Sequence, residues 1–400
     1  MKIELFANDL FDTLEDLRMI ISAKEEDPVT IEAKANEGRD VITVLGFSSA
    51  GNFAEIKIRG RAVECGVASF RLCEIAQAAF AYHRRNIAIS TRPDGTGVNI
   101  SYLDSVMTLH TVVDQPRVVR SGSADERASF DSLDLLEVVS DVLHARSDDD
   151  VCRRSLCGVK IEIGADMQLR AIATDGRRLA VSHRQVKRAK LKKPEFEIFL
   201  PNDACEFLVR VPHQAMTTLV KFGDDPRVGI EALDSAGDFI TSEAFPLWRK
   251  RLPGDQPWLC TFTCYELENT LELAVMALDH KELVQADEDD PDSETTLEEV
   301  RLVAQLYHAA DSDHINLTVN NPEDAEQPTF FKMVKCAAPS GVAFNTHIDA
   351  RYLLQALRIM RGEVRMSAGK LNNKSEQLGP HLFKSSEHPE FFEVIMPLRD

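Results

Sequence analysis

The sequence predicts an α+β protein built from three similar units. Three observations carry this. Amphipathic helices of two kinds each occur three times. Strand-like runs follow the helices of the second kind. The second kind also recurs at 130 and then 144 residues, from Phe70 to Leu200 and from Leu200 to Phe344. Helices dispersed among many short strands define the α+β class.

Helices of the first kind fall at 8–21, 132–145 and 265–280. Leu10, Leu14, Leu17 and Ile21 lie at helical spacing in the first, and Leu267, Leu271, Ala274 and Leu278 in the third. Helices of the second kind fall at 70–85, 200–211 and 344–362, with strand-like runs after them at 86–90, 217–222 and 363–368. The 14 extra residues in the second interval equal the length of the acidic stretch 286–299, which reads as an insertion in the third unit. Turn-rich, charged seams lie at 112–127 and 251–258. The expected domains are 1–125, 126–254 and 255–400, with the acidic insertion near 286–299. A hairpin is expected in "LRAIATDGRRLAVSH", 169–183, where apolar residues alternate on both sides of Asp175-Gly176.

Composition narrows the function. Apolar content of 44% and charged content of 28% are those of a soluble globular protein. No run reaches the roughly 18 apolar residues of a membrane span, and the acidic amphipathic start does not read as a signal peptide. The eight cysteines are scattered, so reduced, mostly buried thiols in the cytoplasm are expected. Cys260 and Cys264 lack a second ligand pair nearby, which argues against zinc. The net charge of −19 argues against binding nucleic acid through a basic exterior. The charge is uneven. The run 183–193 holds six Lys and Arg and no acid, whereas 286–299 holds eight acids and no base. The latter reads as a disordered acidic loop. Asp287 and Asp289 fit a calcium-loop spacing, but Pro291 and the missing glycine do not. Phosphate-loop, dinucleotide, zinc-protease and serine-nucleophile motifs are absent, and neither cofactor nor metal is expected.

"LRAIATDGRRLAVSH", "FPLWRKRLP" (245–253) and "VIMPLRD" (394–400) together resemble landmarks of the bacterial DNA polymerase III β subunit family, the sliding clamps. "CRRSLCGVKIEI" (152–163) and "INLTVNNPEDAE" (315–326) are also similar to it. The resemblance spans about 130–255 and 300–400 and is weak over 1–125. It implies three clamp domains per chain and a head-to-tail homodimeric ring, with twelve helices lining the hole and sheets outside. Such a ring holds duplex DNA by topology, without sequence preference, so an acidic exterior is tolerable.

The resemblance implies a partner-peptide cleft at Leu156, Thr174, Gly176, Arg177, Arg178, Leu179, Pro246, Lys250, Arg251, Val394, Met396, Pro397, Leu398 and Arg399. Its apolar members would form a trough for leucine and phenylalanine anchors, with Arg178 and Arg399 holding polar atoms. Lys250 and Arg251 make this rim more basic than the family's usual arginine–aliphatic pair. DNA-facing candidates on or just beyond the helices are Arg18, Lys24, Arg71, Arg84, Arg85, Arg146, Arg210, Arg351, Arg358 and Arg361. The implied partners are DNA polymerase III α subunit or another polymerase and a clamp-loader ATPase, in a cytoplasmic, nucleoid-associated, non-catalytic protein. The competing expectation is a clamp-fold accessory or scaffold that binds replication partners without closing a ring. A metal-dependent nuclease at Asp148, Asp149 and Asp150 is a third.

Overall fold

The computed structural model describes residues 1–36, 39–112, 124–147, 154–187, 189–191, 193–211, 215–222, 226–241, 245–254, 256–278, 281–284, 296–299, 301–322, 329–370 and 378–398. Several sequence expectations fall outside these residues: most of the 112–127 seam, Asp148–Asp150, Cys152, Arg188 and Lys192 of the basic run, Asp287, Asp289, Pro291, Arg399 and Asp400.

Among the described residues there are six α-helices: α1 (Ala7–Ile20), α2 (Leu72–Ala81), α3 (Ser132–Val142), α4 (Asn202–Arg210), α5 (Cys264–Leu278) and α6 (Ala350–Ile359). A strand leads directly into each: Lys2–Phe6, Gly66–Arg71, Ala124–Asp131, Phe196–Pro201, Trp258–Thr263 and Phe344–Asp349. The strands expected after α2, α4 and α6 form at Asn86–Thr91, Met216–Phe222 and Glu363–Lys370. The same order of elements therefore runs through the chain three times.

Helix starts of the second kind differ from expectation. Residues 70–71, 200–201 and 344–349 are strand rather than helix. The last of these pairs residue by residue with Val303–His308, and it buries Phe344, Thr346 and Ile348 in alternation. A complete ladder outweighs weak helix propensity in these six residues. Asp349 then caps α6, accepting hydrogen bonds from the N–H groups of Arg351 (3.0 Å) and Tyr352 (3.2 Å). Asp131 caps α3 through the Leu133 N–H (3.1 Å). The acidic stretch also differs from a loop throughout: Thr296–Glu299 is a strand paired antiparallel with Lys281–Val284.

The chain divides into two compact units. The first holds 1–143, 148–171 and 184–245. Its five-stranded sheet ends on the edge strand Ser105–His110. Its nine-stranded sheet includes Phe53–Ile58 beside Ser235–Ile240. Here α1 buries Leu10, Leu14, Leu17 and Ile20, and Phe207 packs edge-on to Phe239. The second unit holds 144–147, 172–183 and 246–400. Its sheet runs through Arg178–Gln185, Phe391–Ile395, Leu378–Ser385, Glu363–Lys370, Trp258–Thr263, Phe330–Ala337 and onward. Leu267, Leu271, Ala274 and Leu278 of α5 face its core, as their spacing required.

Of the seven cysteines described, none forms a disulfide, and Cys157, Cys205, Cys260, Cys264 and Cys336 are buried. Burial pushes the Cys264 thiol up to about 12, so it stays protonated and unreactive. Among the described residues no group of His, Cys, Asp and Glu has metal-site geometry, and no helix is long and apolar enough to cross a membrane.

Candidate functional site

The hairpin forms where the alternation placed it, with strands Gln168–Thr174 and Arg178–Gln185. Its loop is Asp175-Gly176-Arg177, with Gly176 at φ +90°, a conformation that favours glycine. Asp175 holds the loop by accepting from the N–H groups of Arg177 (2.8 Å) and Arg178 (3.0 Å). The Thr174 hydroxyl accepts from the Gly176 N–H at 3.1 Å.

Strand register then divides the expected trough. Arg178 lies opposite Ile395, and Leu179 opposite Val394. Ile395 in turn lies opposite His381. Opposed residues share a sheet face and successive residues alternate, so Arg178, Ile395, Glu393 and His381 lie on one face and Leu179 and Val394 on the other. Arg178 is therefore not a free donor for a ligand. It is only 7% exposed. Its guanidinium donates to Asp175 Oδ2 (3.1 Å), to Gln355 Oε1 (2.5 Å) and to the His144 carbonyl, and it stacks 4.2 Å from the Tyr352 ring centroid. The adjacent Arg177 is the exposed one.

A recess of about 220 Å³ opens beside Arg177. Its lining includes the expected Met396, Pro397 and Leu398, together with Arg301, Asp349 and Tyr352, which sequence reasoning missed. Asp349 was legible as a helix cap before "ARYLLQAL", but nothing local marks Arg301 or Tyr352. The Met396 N–H donates to the Arg177 carbonyl (2.9 Å) and the Leu398 N–H to the His347 carbonyl (2.8 Å), which moors this segment. Burial raises the Asp349 carboxyl, opposed by its cap hydrogen bonds, and burial also raises the Tyr352 phenol. Tyr352 is therefore a neutral hydroxyl donor on a mixed wall, with charged Arg177, Arg301 and Asp349 beside Met396, Pro397 and Leu398. A wall of this kind offers both apolar contact and polar partners.

The remaining cleft residues are not in the lining of this recess. Leu179 and Val394 are buried. Pro246 is half-buried, and Lys250 and Arg251 are exposed on the 3-10 turn Trp248–Arg251, where Arg249 covers buried Trp248. Leu156 is buried in the 3-10 turn Arg154–Leu156 of the first unit.

Several DNA-facing candidates are engaged by acids. Arg71 pairs with Glu26 (3.3 Å), Arg210 with Glu206 (3.1 Å) and Arg358 with Glu272 (2.7 Å). Arg18 lies 3.8 Å from Glu15, and Arg85 stacks on Tyr102. Lys24, Arg84 and Arg361 are exposed, and Arg146 and Arg351 are half-buried. In the basic run, Arg184 pairs with Glu137 (2.5 Å) and Lys193 with Glu126.

The chain matches no family model and no curated protein sequence. Its fold matches solved structures along its whole length. DNA polymerase III subunit beta from Pseudomonas aeruginosa shares 16% identity at a TM-score of 0.76, with 100% of both chains covered. The beta sliding clamp from C. crescentus shares 17% at 0.77, again over 100% of both. The Helicobacter pylori beta clamp, solved bound to a DNA ligase peptide, shares 15% at 0.76 with the same coverage. The fold of this chain is that of the sliding clamps.

Proposed function

We propose that the chain is a DNA sliding clamp: a non-catalytic ring of two copies that encircles duplex DNA, is loaded by an ATPase, and tethers a replicative polymerase. In this reading the segments 1–125, 126–254 and 255–400 are its clamp domains. A repeated strand junction supports ring closure. Ser235–Ile240, the last strand of the second segment, pairs with Phe53–Ile58 of the first. Phe391–Ile395, the last strand of the third, pairs with Arg178–Gln185 of the second. The corresponding third pair would join Ser105–His110, the last strand of the first segment, to Phe330–Ala337 of the third. Within one chain these two strands are not neighbours. Both present exposed apolar side chains, Val106 (60%) on one and Phe331 (59%) and Met333 (55%) on the other. Ser105–His110 ends its sheet, and Phe330–Ala337 meets Trp258–Thr263 only at Cys336 and Ala337, so 330–335 is open on that side; open strand edges are a liability that a second copy would cover.

The native protein is expected at twice the 44.7 kDa chain mass in solution. Phe331→Asp with Met333→Asp should reduce it to one chain without unfolding it. A native mass of one chain, or dimers that survive the double substitution, would remove the ring from this reading.

The recess at Met396–Leu398 is the proposed partner site, and the peptide-bound Helicobacter pylori clamp makes a peptide the natural ligand class. Burying two apolar anchors contributes roughly 3–6 kcal/mol before ordering costs, which corresponds to affinity of about micromolar or weaker. Deleting Met396–Asp400 should weaken an acetylated decapeptide bearing Leu and Phe by at least about tenfold in calorimetry, with dimer mass unchanged. Equal affinity would place the partner site elsewhere.

A second reading, a clamp-fold scaffold that does not hold DNA, is favoured by helix charge. α1, α3 and α5 carry Asp9, Asp12, Glu15, Asp16, Asp134, Glu137, Asp141, Glu266, Glu268 and Glu272 against the single base Arg18. Retention on closed circular DNA with loss on linearisation supports the ring. Equal retention on neither supports the scaffold.

A further inference from the structure

Glu393 is completely buried in the C-terminal strand Phe391–Ile395, between two apolar residues that share its sheet face. A carboxyl at such a position is costly unless paired. Its Oε2 lies 2.8 Å from His144 Nε2, while Oε1 has no hydrogen-bond partner. The His144 ring packs near Phe391, with centroids 6.2 Å apart. The His144 carbonyl accepts from the Arg178 guanidinium, which covers the Tyr352 ring in the recess wall. A continuous path thus runs from Glu393 through His144 and Arg178 to Tyr352. Leucine at 393 would fill the face, so packing alone gives no reason for an acid there.

We propose that Glu393 and His144 are positioning residues for the recess. They seat the 144–147 connector so that its carbonyl fixes Arg178, and Arg178 fixes the ring that a partner peptide meets. This rests on the peptide-recess reading. Neither residue is placed to touch the ligand: Glu393 has no exposed surface and His144 little.

The test is the ring signal of Tyr352 in protein labelled at its five tyrosines, assigned with Tyr352→Phe, alongside affinity for the Leu- and Phe-bearing decapeptide. Glu393→Ala should shift the Tyr352 signal and weaken the peptide by about tenfold, and Glu393→Gln, which keeps a partner for His144, should restore both to within about twofold. Glu393→Leu with His144→Leu removes both polar groups and guards against simple unfolding, since matched apolar replacement preserves stability. The signal should still move in that variant. A Tyr352 signal at its native position in the folded double variant overturns the proposal. Failure of the native protein to bind the peptide would remove the recess reading, and the Tyr352 signal would still decide whether the pair positions the ring.

Discussion

Arg178→Ala is expected to destabilise the second unit by about 3–5 kcal/mol, the scale seen when one partner of a buried charged network is removed. The side chain is 7% exposed and holds three groups together. Its loss leaves the Gln355 amide and the His144 carbonyl without this donor, and takes from Asp175 its guanidinium partner. The packing over Tyr352 goes as well, which exposure alone would not reveal. Arg178→Lys should recover only part of the loss, because an ammonium cannot reproduce a planar fork serving three directions. Urea unfolding followed on the transition of this unit is the measurement, since a chain of two compact units need not unfold in one step. A loss below about 1 kcal/mol would mean that the guanidinium is replaceable by water, and that Arg178 is as available to ligands as the sequence suggested.

The second large effect concerns pH. Burial pushes the His381 imidazole from 6.5 down to about 4, against the opposing effect of the Ile395 backbone. Between those values the unfolded chain binds a proton at this site and the native chain does not. Stability therefore rises with pH across that window. The contribution is fully present above 6.5 and is lost as pH falls to about 4. The shift corresponds to about 3 kcal/mol. His381→Leu, beside buried Phe383, removes the titrating group and should flatten this part of the profile. Carboxylates also titrate at acid pH, so the quantity to read is the stability difference between variant and native protein. It should move by about 3 kcal/mol in favour of the variant between pH 7 and pH 4. A difference that stays constant would show that His381 is reached by water.

Much of the fold was legible because helical and strand periods are local properties. The stripe Leu267, Leu271, Ala274 and Leu278 marks α5 wherever it packs, and the alternation around Asp175-Gly176 marks the hairpin. Element ends were less legible. Residues 344–349 became strand only because Val303–His308, some forty positions earlier, offers a ladder partner.

The candidate site divides along the same line. Gly176, Arg177, Met396, Pro397 and Leu398 could be named from short motifs, and the last four do line one recess. Arg178 could not be judged from its neighbours. Its role follows from a one-residue parity in a ladder with a strand more than two hundred positions away, which turns it to the face opposite Leu179. Arg301 and Tyr352 join the recess through chain crossings that leave no local mark. The sequence by itself determined the α+β class, the threefold order of helices and strands, and the turn at Gly176, because periodicity and backbone freedom act over a few residues. Only the tertiary structure decided which side chains are free to meet a partner and which are consumed as internal supports, because register, burial and hydrogen-bond satisfaction depend on groups that the chain brings together from afar.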